Sequence, residues 1–214
     1  MKDIAIYGAG GLGREVIDLI NKMNEVKPQW NIIGFFDDSK PIGEIVTHDY
    51  KVLGGIDEVN AWSSPLCVAL CMGSPHQIEA VFSKITNPLI EFPNLIYQNF
   101  YISDRDTFSI GHGNIICGKC VATVSVTIGN FNLLNGSVTF GHDVTVGDYN
   151  VFMPGCRISG EVKIGNRNLF GAMSFVKQCL KIGNDVTLSP LSPLLSKPKD
   201  GNTYMGNPAK IFKF

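Results

Sequence analysis

The sequence has little of what marks a nucleic-acid-binding or membrane protein. Its 18 lysine and arginine residues are balanced by 19 aspartate and glutamate residues, which gives a formal net charge of −1, and they form no basic cluster. Such a chain lacks the electrostatic footprint with which proteins bind nucleic acid or anionic membranes. It also lacks any apolar run that approaches the ~20 residues needed to span a bilayer. We therefore expect neither nucleic acid nor a membrane as a partner.

The N-terminus has no long hydrophobic segment either. It reads MKDIAIYGAGG, in which one lysine precedes a short apolar strand that ends at glycines. This stretch is too short to be the hydrophobic core of a signal peptide. The sequence therefore predicts a cytoplasmic protein.

Signatures of disulfide and metal sites are sparse. In a cytosolic chain the six cysteines are expected to be buried small hydrophobic residues, as Cys67 and Cys71 in LCVALCMG indicate. Cys117 and Cys120 form a C-x-x-C pair, which leaves a redox or zinc site as the alternative. No second Cys/His pair stands at zinc spacing, and the second half has too few histidines for a carbonic-anhydrase-like centre. We predict no metal site.

What is present falls into two halves with different patterns. Over residues 1–100, short apolar strands alternate with helical patterns, which is typical of a small parallel α/β sheet. The segment GLGREVIDLINKMNE has apolar residues at helical spacing and predicts a crossover helix. Pro88 and Pro93 punctuate the end of this half. We predict a Rossmann-like domain over residues 1–100.

Over residues 101–214 the hydrophobic period becomes six. Every sixth residue from Ile110 to Leu194 is apolar, and an Ile-Gly or Val-Gly pair recurs every eighteen residues from Ile110 onward. The same eighteen-residue step connects a row of asparagines, Asn114, Asn132, Asn150 and Asn168. Three short strands per coil, stacked in register over about five coils, predict a parallel β-helix of triangular section. We expect the repeated glycines to supply its tight corners.

A glycine-rich motif lies between the first strand and the first helix. Gly8, Gly10 and Gly13 satisfy G-x-G-x-x-G, in which backbone N–H groups and the helix dipole hold a diphosphate. Asp37 stands where a dinucleotide fold places its ribose-binding carboxylate. Because about 100 residues hold only one mononucleotide-binding half, a nucleotide sugar fits better than NAD. The alternative is a glycine turn that serves only helix–strand packing.

One histidine of the β-helix is the candidate for chemistry. His142 follows the inward column residue Phe140 by two places, where a side chain can project outward from a turn. It could therefore act at the surface of a neighbouring subunit. The alternative is a solvated turn residue, because His112 occupies a similar position.

Together these motifs resemble an enzyme family over essentially the whole chain. YGAGGLGREV, GFFDDS and LGGIDEV in the first half, with GHDVTVGD and YMGNPAK in the second, are similar to hexapeptide-repeat sugar O-/N-acyltransferases of the sialic-acid O-acetyltransferase type. These include the acetyltransferases that make UDP-linked di-N-acetyl bacillosamine. The resemblance implies a left-handed β-helix, a homotrimer, a UDP-linked amino sugar on the N-terminal domain, and acetyl-CoA along the β-helix between two subunits. Its implied role is bacterial surface-glycan synthesis.

The resemblance also implies a role for particular residues. The family's histidine base falls on His142 and the acidic residue after it on Asp143. The predicted acetyl-CoA-binding residues are Gly160, Gly206, Pro208 and Lys210, with Ala209 in the same motif. The predicted substrate-binding residues are Gly8, Gly10, Gly11, Gly13, Asp37, Asp38 and Gly73. A neutral imidazole can take the proton of an amine or hydroxyl that attacks a thioester. Because no cysteine nucleophile is required, we predict direct transfer.

Four positions depart from the family pattern. Val151 stands where many relatives carry a second histidine, and Pro190 stands at a likely glycine position. Gln77 is the nearest candidate for a missing arginine, and YQNFY replaces the usual His-Pro before the β-helix. The sequence leaves two alternatives open, an O-acetyltransferase acting on a sugar or sialic-acid hydroxyl and a β-helix that binds a nucleotide sugar without chemistry.

Overall fold

The computed structural model describes residues 1–213, and the chain divides into two compact units between Leu95 and Ile96. The first unit contains six strands and three helices: β1 (Lys2–Tyr7), α1 (Gly11–Val26), β2 (Trp30–Phe36), β3 (Ile45–Thr47), β4 (Tyr50–Gly54), α2 (Ile56–Asn60), β5 (Leu66–Leu70), α3 (Pro75–Lys84) and β6 (Ile90–Glu91). The strands form one sheet in the order β3-β4-β2-β1-β5-β6, parallel except for the β3–β4 hairpin. The predicted parallel α/β sheet is therefore present.

Burial explains why these segments form the first unit. All five residues of β5 are buried, as expected of a central parallel strand whose two faces are covered. The helix predicted from GLGREVIDLINKMNE is α1, and its buried residues Val16, Ile17, Leu19 and Ile20 lie on one face. The hydrophobic spacing in the sequence thus marks the side of α1 that packs on the sheet.

The second unit is built from very short strands. They are β7 (Leu95–Ile96), β8 (Tyr101–Ile102), β9 (Ser109–Ile110), β10 (Ile115–Ile116), β11 (Val121–Ala122), β12 (Thr127–Ile128), β13 (Leu133–Leu134), β14 (Thr139–Phe140), β15 (Thr145–Val146), β16 (Val151–Phe152), β17 (Arg157–Ile158), β18 (Lys163–Ile164), β19 (Leu169–Phe170), β20 (Phe175–Val176), β21 (Lys181–Ile182), β22 (Thr187–Leu188), β23 (Pro193–Leu194), β24 (Thr203–Met205) and β25 (Lys210–Phe212). Successive strands belong to three different sheets, so that three strands make one coil.

The three sheets are the faces of a prism. Face 1 contains β7, β10, β13, β16, β19, β22, β24 and β25; face 2 contains β8, β11, β14, β17, β20 and β23; face 3 contains β9, β12, β15, β18 and β21. Strands of successive coils pair in parallel with partners eighteen residues apart, for example Phe140 with Ile158. Only the terminal β24–β25 pair is antiparallel among the strands of this unit within residues 1–213.

The apolar column predicted from the six-residue period is the core of the prism. Fourteen of its fifteen members are buried: Ile116, Ala122, Ile128, Leu134, Phe140, Val146, Phe152, Ile158, Ile164, Phe170, Val176, Ile182, Leu188 and Leu194. Ile110, in the first complete coil, is half-buried. The predicted fold class, a small Rossmann-like domain followed by a left-handed parallel β-helix, is confirmed.

The expected role of the repeated glycines is wrong. The left-handed backbone conformation at the corners belongs to other positions, most of which are not glycine, such as Asp143 (φ 58°) and Glu161 (φ 59°). A Cβ on Gly147 would lie 2.3 Å from Asn166 Oδ1 and 2.6 Å from the carbonyl oxygen of Gly165. These glycines are therefore required by the close approach of successive coils, which leaves no room for a side chain.

The asparagine row forms a buried hydrogen-bond ladder at the corner between faces 3 and 1. Asn132 Oδ1 accepts hydrogen bonds from the Asn150 backbone N–H (2.9 Å) and from Asn150 Nδ2 (3.0 Å). Asn150 Oδ1 accepts the same pair from Asn168, each at 2.9 Å. Asn150 Nδ2 also donates to the carbonyl oxygen of Gly165 at 2.9 Å. Each asparagine therefore satisfies backbone groups of two coils.

Removing one member of the ladder is expected to destabilise the β-helix strongly. Asn150→Ala leaves the Asn168 N–H and Nδ2 and the Gly165 carbonyl without this partner, and each buried unsatisfied group costs about 1–3 kcal/mol. We expect the free energy of unfolding, measured by denaturant titration, to fall by about 3 kcal/mol or more. Asn99→Ala is the control, because exposed Asn99 accepts a single bond from the Lys119 N–H. Equal losses in the two variants would contradict the ladder's role.

Across residues 1–213, none of the helices combines the length and the apolar character that crossing a bilayer requires.

Candidate functional site

A pocket of about 560 Å³ opens at the carboxyl ends of β1, β2 and β5 in the first unit. In the sheet, β2 lies on one side of β1 and β5 lies on the other side, so the strand order reverses at β1. Ligands of open parallel sheets bind at such a topological switch point. The pocket therefore lies where the fold favours a ligand.

The pocket collects six of the seven predicted substrate-binding residues, which are Gly8, Gly10, Gly11, Asp37, Asp38 and Gly73. Gly13 is the exception. It is buried, and a Cβ there would lie 2.1 Å from the Gly8 carbonyl oxygen and 3.3 Å from the Ile6 side chain. Gly13 thus allows α1 to pack closely on β1 and does not line the pocket.

The glycine-rich loop leaves space beside the start of α1. Gly10 caps the helix, Gly11 begins it, and a Cβ on either residue would meet nothing within 4 Å. Gly8, in contrast, has φ +109°, and a Cβ there would lie 2.6 Å from the Cys71 carbonyl oxygen. The first N–H groups of a sixteen-residue helix thus face a cavity, and the helix dipole makes this end favourable for an anion.

The two acidic residues of the pocket are held by protein donors. Asp37 Oδ2 accepts the Ala9 N–H at 2.8 Å, and Asp37 Oδ1 accepts Ser39 N (2.9 Å) and Ser39 Oγ (2.6 Å). Burial opposes ionisation of Asp37, but the Ser39 and Ala9 hydrogen bonds outweigh it and lower its pKa. Asp38 Oδ2 accepts the Tyr7 hydroxyl at 2.8 Å. Asp37 directly follows β2. Its ionised carboxylate therefore holds the glycine-rich loop that follows β1 in place, through the Ala9 N–H.

Two ionisable side chains that were not predicted, Tyr7 and Lys84, also line the pocket. Tyr7 lines the pocket, and burial and then its hydrogen bond to Asp38 raise the pKa of its phenol. Lys84, the last residue of α3, supplies a cation to the lining, and Gln77 on the same helix also lines it. Nothing in the sequence marks Tyr7 as a pocket residue, because it continues the apolar pattern of β1. Nothing in the sequence marks Lys84 either, because only the packing of α3 brings it to the carboxyl ends of the strands.

The predicted base lies at the corner between faces 2 and 3. His142 follows β14 and precedes β15, and 52% of its side chain is exposed. Its Nδ1 lies 2.8 Å from Asp143 Oδ2. Because a carboxylate accepts hydrogen bonds, Asp143 selects the tautomer in which Nδ1 donates, and in a neutral imidazole of this tautomer Nε2 carries the lone pair. His142 is therefore oriented as a proton acceptor at an accessible corner.

Gly160 lies one coil beyond His142 and covers its ring. A Cβ on Gly160 would lie 2.5 Å from His142 Nε2 and 2.7 Å from Cε1, so any side chain here displaces the imidazole. The Gly160 backbone N–H donates no hydrogen bond to any residue between 1 and 213. The structure thus brings together three predicted residues, His142, Asp143 and Gly160, with an unpaired backbone donor beside the base.

The remaining predicted acetyl-CoA residues form a separate group. Gly206, Pro208 and Lys210 lie in the turn between β24 and β25 or at its edge, at the end of the stack. The Gly206 N–H donates to Ser192 Oγ at 3.0 Å, and the Ala209 N–H donates to the Pro193 carbonyl oxygen at 2.9 Å. On face 1, β24 is three strands beyond β16, so these residues are coils away from Gly160.

The two substitutions noted in the β-helix lie away from the His142 corner. Val151 is on β16 in face 1 and is fully buried. Pro190 is in the turn between β22 and β23, at the corner between faces 1 and 2. Neither residue therefore replaces a group at the corner that carries His142.

The cysteines form no metal or disulfide site in the structure. All six are thiols, and burial raises the pKa of Cys120 to about 11, which disfavours the reactive thiolate. Over the described part of the chain, residues 1–213, no group of three or more His, Cys, Asp or Glu residues could hold a metal ion. Cys67, Cys71, Cys120 and Cys156 are buried, whereas Cys179 is exposed.

Comparison with known proteins gives one family match and several similar structures. Residues 3–85 match the family described as the PglD N-terminal domain. No curated protein sequence matches the chain. Among solved structures, WeeI from Acinetobacter baumannii AYE is 26% identical, with a TM-score of 0.88 over 99% of this chain and 100% of that chain.

Two further structures carry ligands. The acetyltransferase domain of PglB from Neisseria gonorrhoeae FA1090, in complex with acetyl coenzyme A, is 23% identical, with a TM-score of 0.86 over 99% of each chain. A mutant of perosamine N-acetyltransferase from Caulobacter crescentus, in complex with CoA and GDP-perosamine, is 18% identical, with a TM-score of 0.88 over 100% of this chain and 98% of that chain. The predicted resemblance to hexapeptide-repeat sugar acyltransferases is confirmed.

Proposed function

We propose that this protein is an acetyl-CoA-dependent acetyltransferase that acylates the amine of a nucleotide-linked amino sugar. Two of its structural relatives support the reaction class, because one is an acetyltransferase domain with bound acetyl-CoA and another a perosamine N-acetyltransferase with CoA and GDP-perosamine. The observation that carries the proposal is the His142–Asp143 hydrogen bond of 2.8 Å at an exposed corner, beneath Gly160.

The pocket of the first unit is the proposed nucleotide site. The diphosphate lies against the N-terminus of α1 at Gly10 and Gly11, where there is open space and a favourable dipole. Lys84 supplies a further positive charge to the lining. Asp37 already accepts three protein hydrogen bonds, so its main role is to hold the Ala9 N–H and the loop in place. We expect a UDP-linked sugar.

His142 is the proposed general base of a direct transfer. Its Nε2 takes a proton from the sugar amine as the amine nitrogen attacks the thioester carbonyl carbon. Asp143 holds the imidazole through Nδ1 and stabilises the imidazolium that forms. The carbon–sulfur bond then breaks, CoA leaves with the proton that His142 returns, and no acyl-enzyme is formed.

Gly160 has two proposed parts in this reaction. Its missing side chain leaves the space that the imidazole occupies. Its unpaired N–H is a donor for the oxyanion of the tetrahedral intermediate, and such donors are worth about 10²–10³ in kcat. The acetyl-CoA contacts proposed for Gly206, Pro208 and Lys210 would then lie further along the stack, in a homotrimer with the donor between two subunits.

A thiol-release assay tests the reaction and the acceptor together. Purified protein and acetyl-CoA are mixed with UDP-, dTDP- and GDP-linked 4-amino sugars and with their 4-hydroxyl counterparts. We expect CoA release with an amino sugar and none with its hydroxyl counterpart. Release only with hydroxyl sugars would replace the N-acetyltransferase by an O-acetyltransferase. No release with any acceptor, while a nucleotide sugar binds, would contradict acetyl transfer from acetyl-CoA and favour the β-helix that binds without chemistry.

A further inference from the structure

The end of the β-helix exposes a group of large hydrophobic side chains. Residues 191–213, which we call the terminal coil, contain β23, which ends face 2, and β24 and β25, which end face 1. Five of its hydrophobic side chains are between 42% and 74% exposed, namely Leu191, Leu195, Met205, Ile211 and Phe212. Single exposed hydrophobic residues are normal, but a group of them at one end of a molecule marks a surface that meets a partner.

Hydrogen bonds hold the backbone of the terminal coil, so these side chains stay on the outside. The Lys199 N–H donates to the Tyr204 hydroxyl at 2.7 Å, and the Ala209 N–H donates to the Pro193 carbonyl oxygen at 2.9 Å. The strands β24 and β25 also pair with each other. The core beneath is already filled by Leu194 and Tyr204, both of which are buried. The exposed apolar surface is therefore a fixed feature of the fold.

The terminal coil is also cationic. Its only acidic residue is Asp200, whereas its four lysines, Lys197, Lys199, Lys210 and Lys213, are all exposed. None of these lysines forms an ion pair with a residue that the structure describes. Residues 1–95, in contrast, contain 12 acidic and 7 basic residues. The net charge of −1, from which no membrane partner was expected, thus conceals an acidic first unit and a basic end of the β-helix.

The composition of the terminal coil favours a lipid surface over a protein as its partner. Protein interfaces are enriched in tyrosine, tryptophan and arginine and depleted of lysine, but the terminal coil contains no tryptophan or arginine, and its one tyrosine is buried. End-to-end contact between two copies would place lysines against lysines, which repel each other. Aliphatic side chains interspersed with lysines suit the boundary of an anionic bilayer, where apolar burial and attraction to lipid phosphates act together.

We propose that the terminal coil binds the surface of an anionic membrane, with the stack end-on to the lipid. Its exposed hydrophobic side chains insert among the headgroups, and its lysines contact the lipid phosphates. On face 2, β23 is three strands beyond β14, so the His142 corner stays about 14 Å from the terminal coil. The inference uses no part of the catalytic corner and is independent of the proposed function.

Vesicle co-sedimentation of the full chain tests this surface. The vesicles contain either phosphatidylcholine alone or equal parts of phosphatidylcholine and phosphatidylglycerol, and we expect binding only to the anionic mixture. Lys197→Gln/Lys199→Gln should weaken that binding by about ten-fold or more, because each lysine near an anionic surface adds to the attraction. Leu191→Ser/Leu195→Ser should weaken it as well, because the inserting side chains are lost. Lys210 stays unchanged, because it is also a proposed acetyl-CoA residue.

Matched controls remove the same residue types from the first unit. Lys27→Gln/Lys51→Gln replaces two exposed lysines, and Ile42→Ser/Ile45→Ser replaces two isoleucines that are 67% and 59% exposed. We expect both control variants to bind the anionic vesicles as the wild type does. Melting temperatures establish that all four variants are folded.

Four results would overturn the membrane surface. They are no binding of the wild type to the anionic vesicles, equal binding to both kinds of vesicle, equal losses in the terminal-coil and control variants, and self-association without vesicles that Leu191→Ser/Leu195→Ser abolishes. The last result would mean that a second copy covers the terminal coil. A lysine variant that loses affinity for CoA but keeps vesicle binding would likewise assign the lysines to CoA. Acetyl transfer is decided by the thiol-release assay, so the two proposals can fail separately.

Discussion

His142→Ala is expected to lower kcat for acetyl transfer by about 10²- to 10⁴-fold, the contribution typical of a positioned general base. The variant removes Nε2 and leaves Asp143 without its partner at 2.8 Å. Because the side chain is 52% exposed and lies outside the core, the fold should not change. Steady-state kinetics with acetyl-CoA and the acceptor found in the sugar panel measure the effect.

His112→Ala is the matched control for this variant. His112 also follows a column residue by two places at a corner of the β-helix, and it is exposed. Its ring packs edge-on against Phe131 at 5.0 Å, and it has no neighbouring carboxylate in sequence. We expect unchanged kcat for this variant and unchanged CoA affinity for both. If His142→Ala turned over at the wild-type rate, the proposed role of His142 as the general base would be wrong.

Gly160→Ala is expected to lower kcat/KM by about 10- to 100-fold without unfolding the protein. The added Cβ would lie 2.5 Å from His142 Nε2, so the imidazole must move. A displacement of about 1 Å in a reacting group can cost 10²-fold in rate. The exposed imidazole can turn toward solvent, so the melting temperature should change by no more than about 4 °C, which corresponds to roughly 1 kcal/mol.

Gly136→Ala is the control that separates the crowding of His142 from any loss of activity that alanine causes at a turn. Gly136 occupies the equivalent turn position at the corner between faces 1 and 2, and a Cβ there would meet only the Gly118 carbonyl oxygen, at 3.5 Å. We expect Gly136→Ala to keep full activity. Equal losses of activity in Gly136→Ala and Gly160→Ala would show that crowding of His142 is not the cause.

The periodic part of the fold could be predicted residue by residue. A six-residue apolar period has one regular solution in which each short strand contributes to a common core, and the column from Ile116 to Leu194 is buried as that solution requires. The role of the glycines could not be predicted in this way. Whether Gly147 serves a positive φ or a close approach depends on where Asn166 and Gly165 of the next coil lie.

The candidate site was predictable where its residues are neighbours in sequence. Asp143 directly follows His142, so their hydrogen bond needs only a turn. Gly8 and Gly10 likewise belong to the loop between β1 and α1, and Gly11 is the first residue of α1. Lys84 escaped prediction because it lies far along the chain from that loop, at the end of α3, and carries no motif.

The two-part organisation, the coil length, the inward column and the pairing of His142 with Asp143, the proposed base and its partner, could all be predicted from the sequence alone. Periodicity and short motifs record these features because they depend on spacing along the chain. The packed structure was needed to show that Gly13 lets α1 pack on β1 and that Gly160 covers His142. These contacts join residues of different elements or coils. The space left for a side chain there depends on how the elements pack, which spacing along the chain does not record.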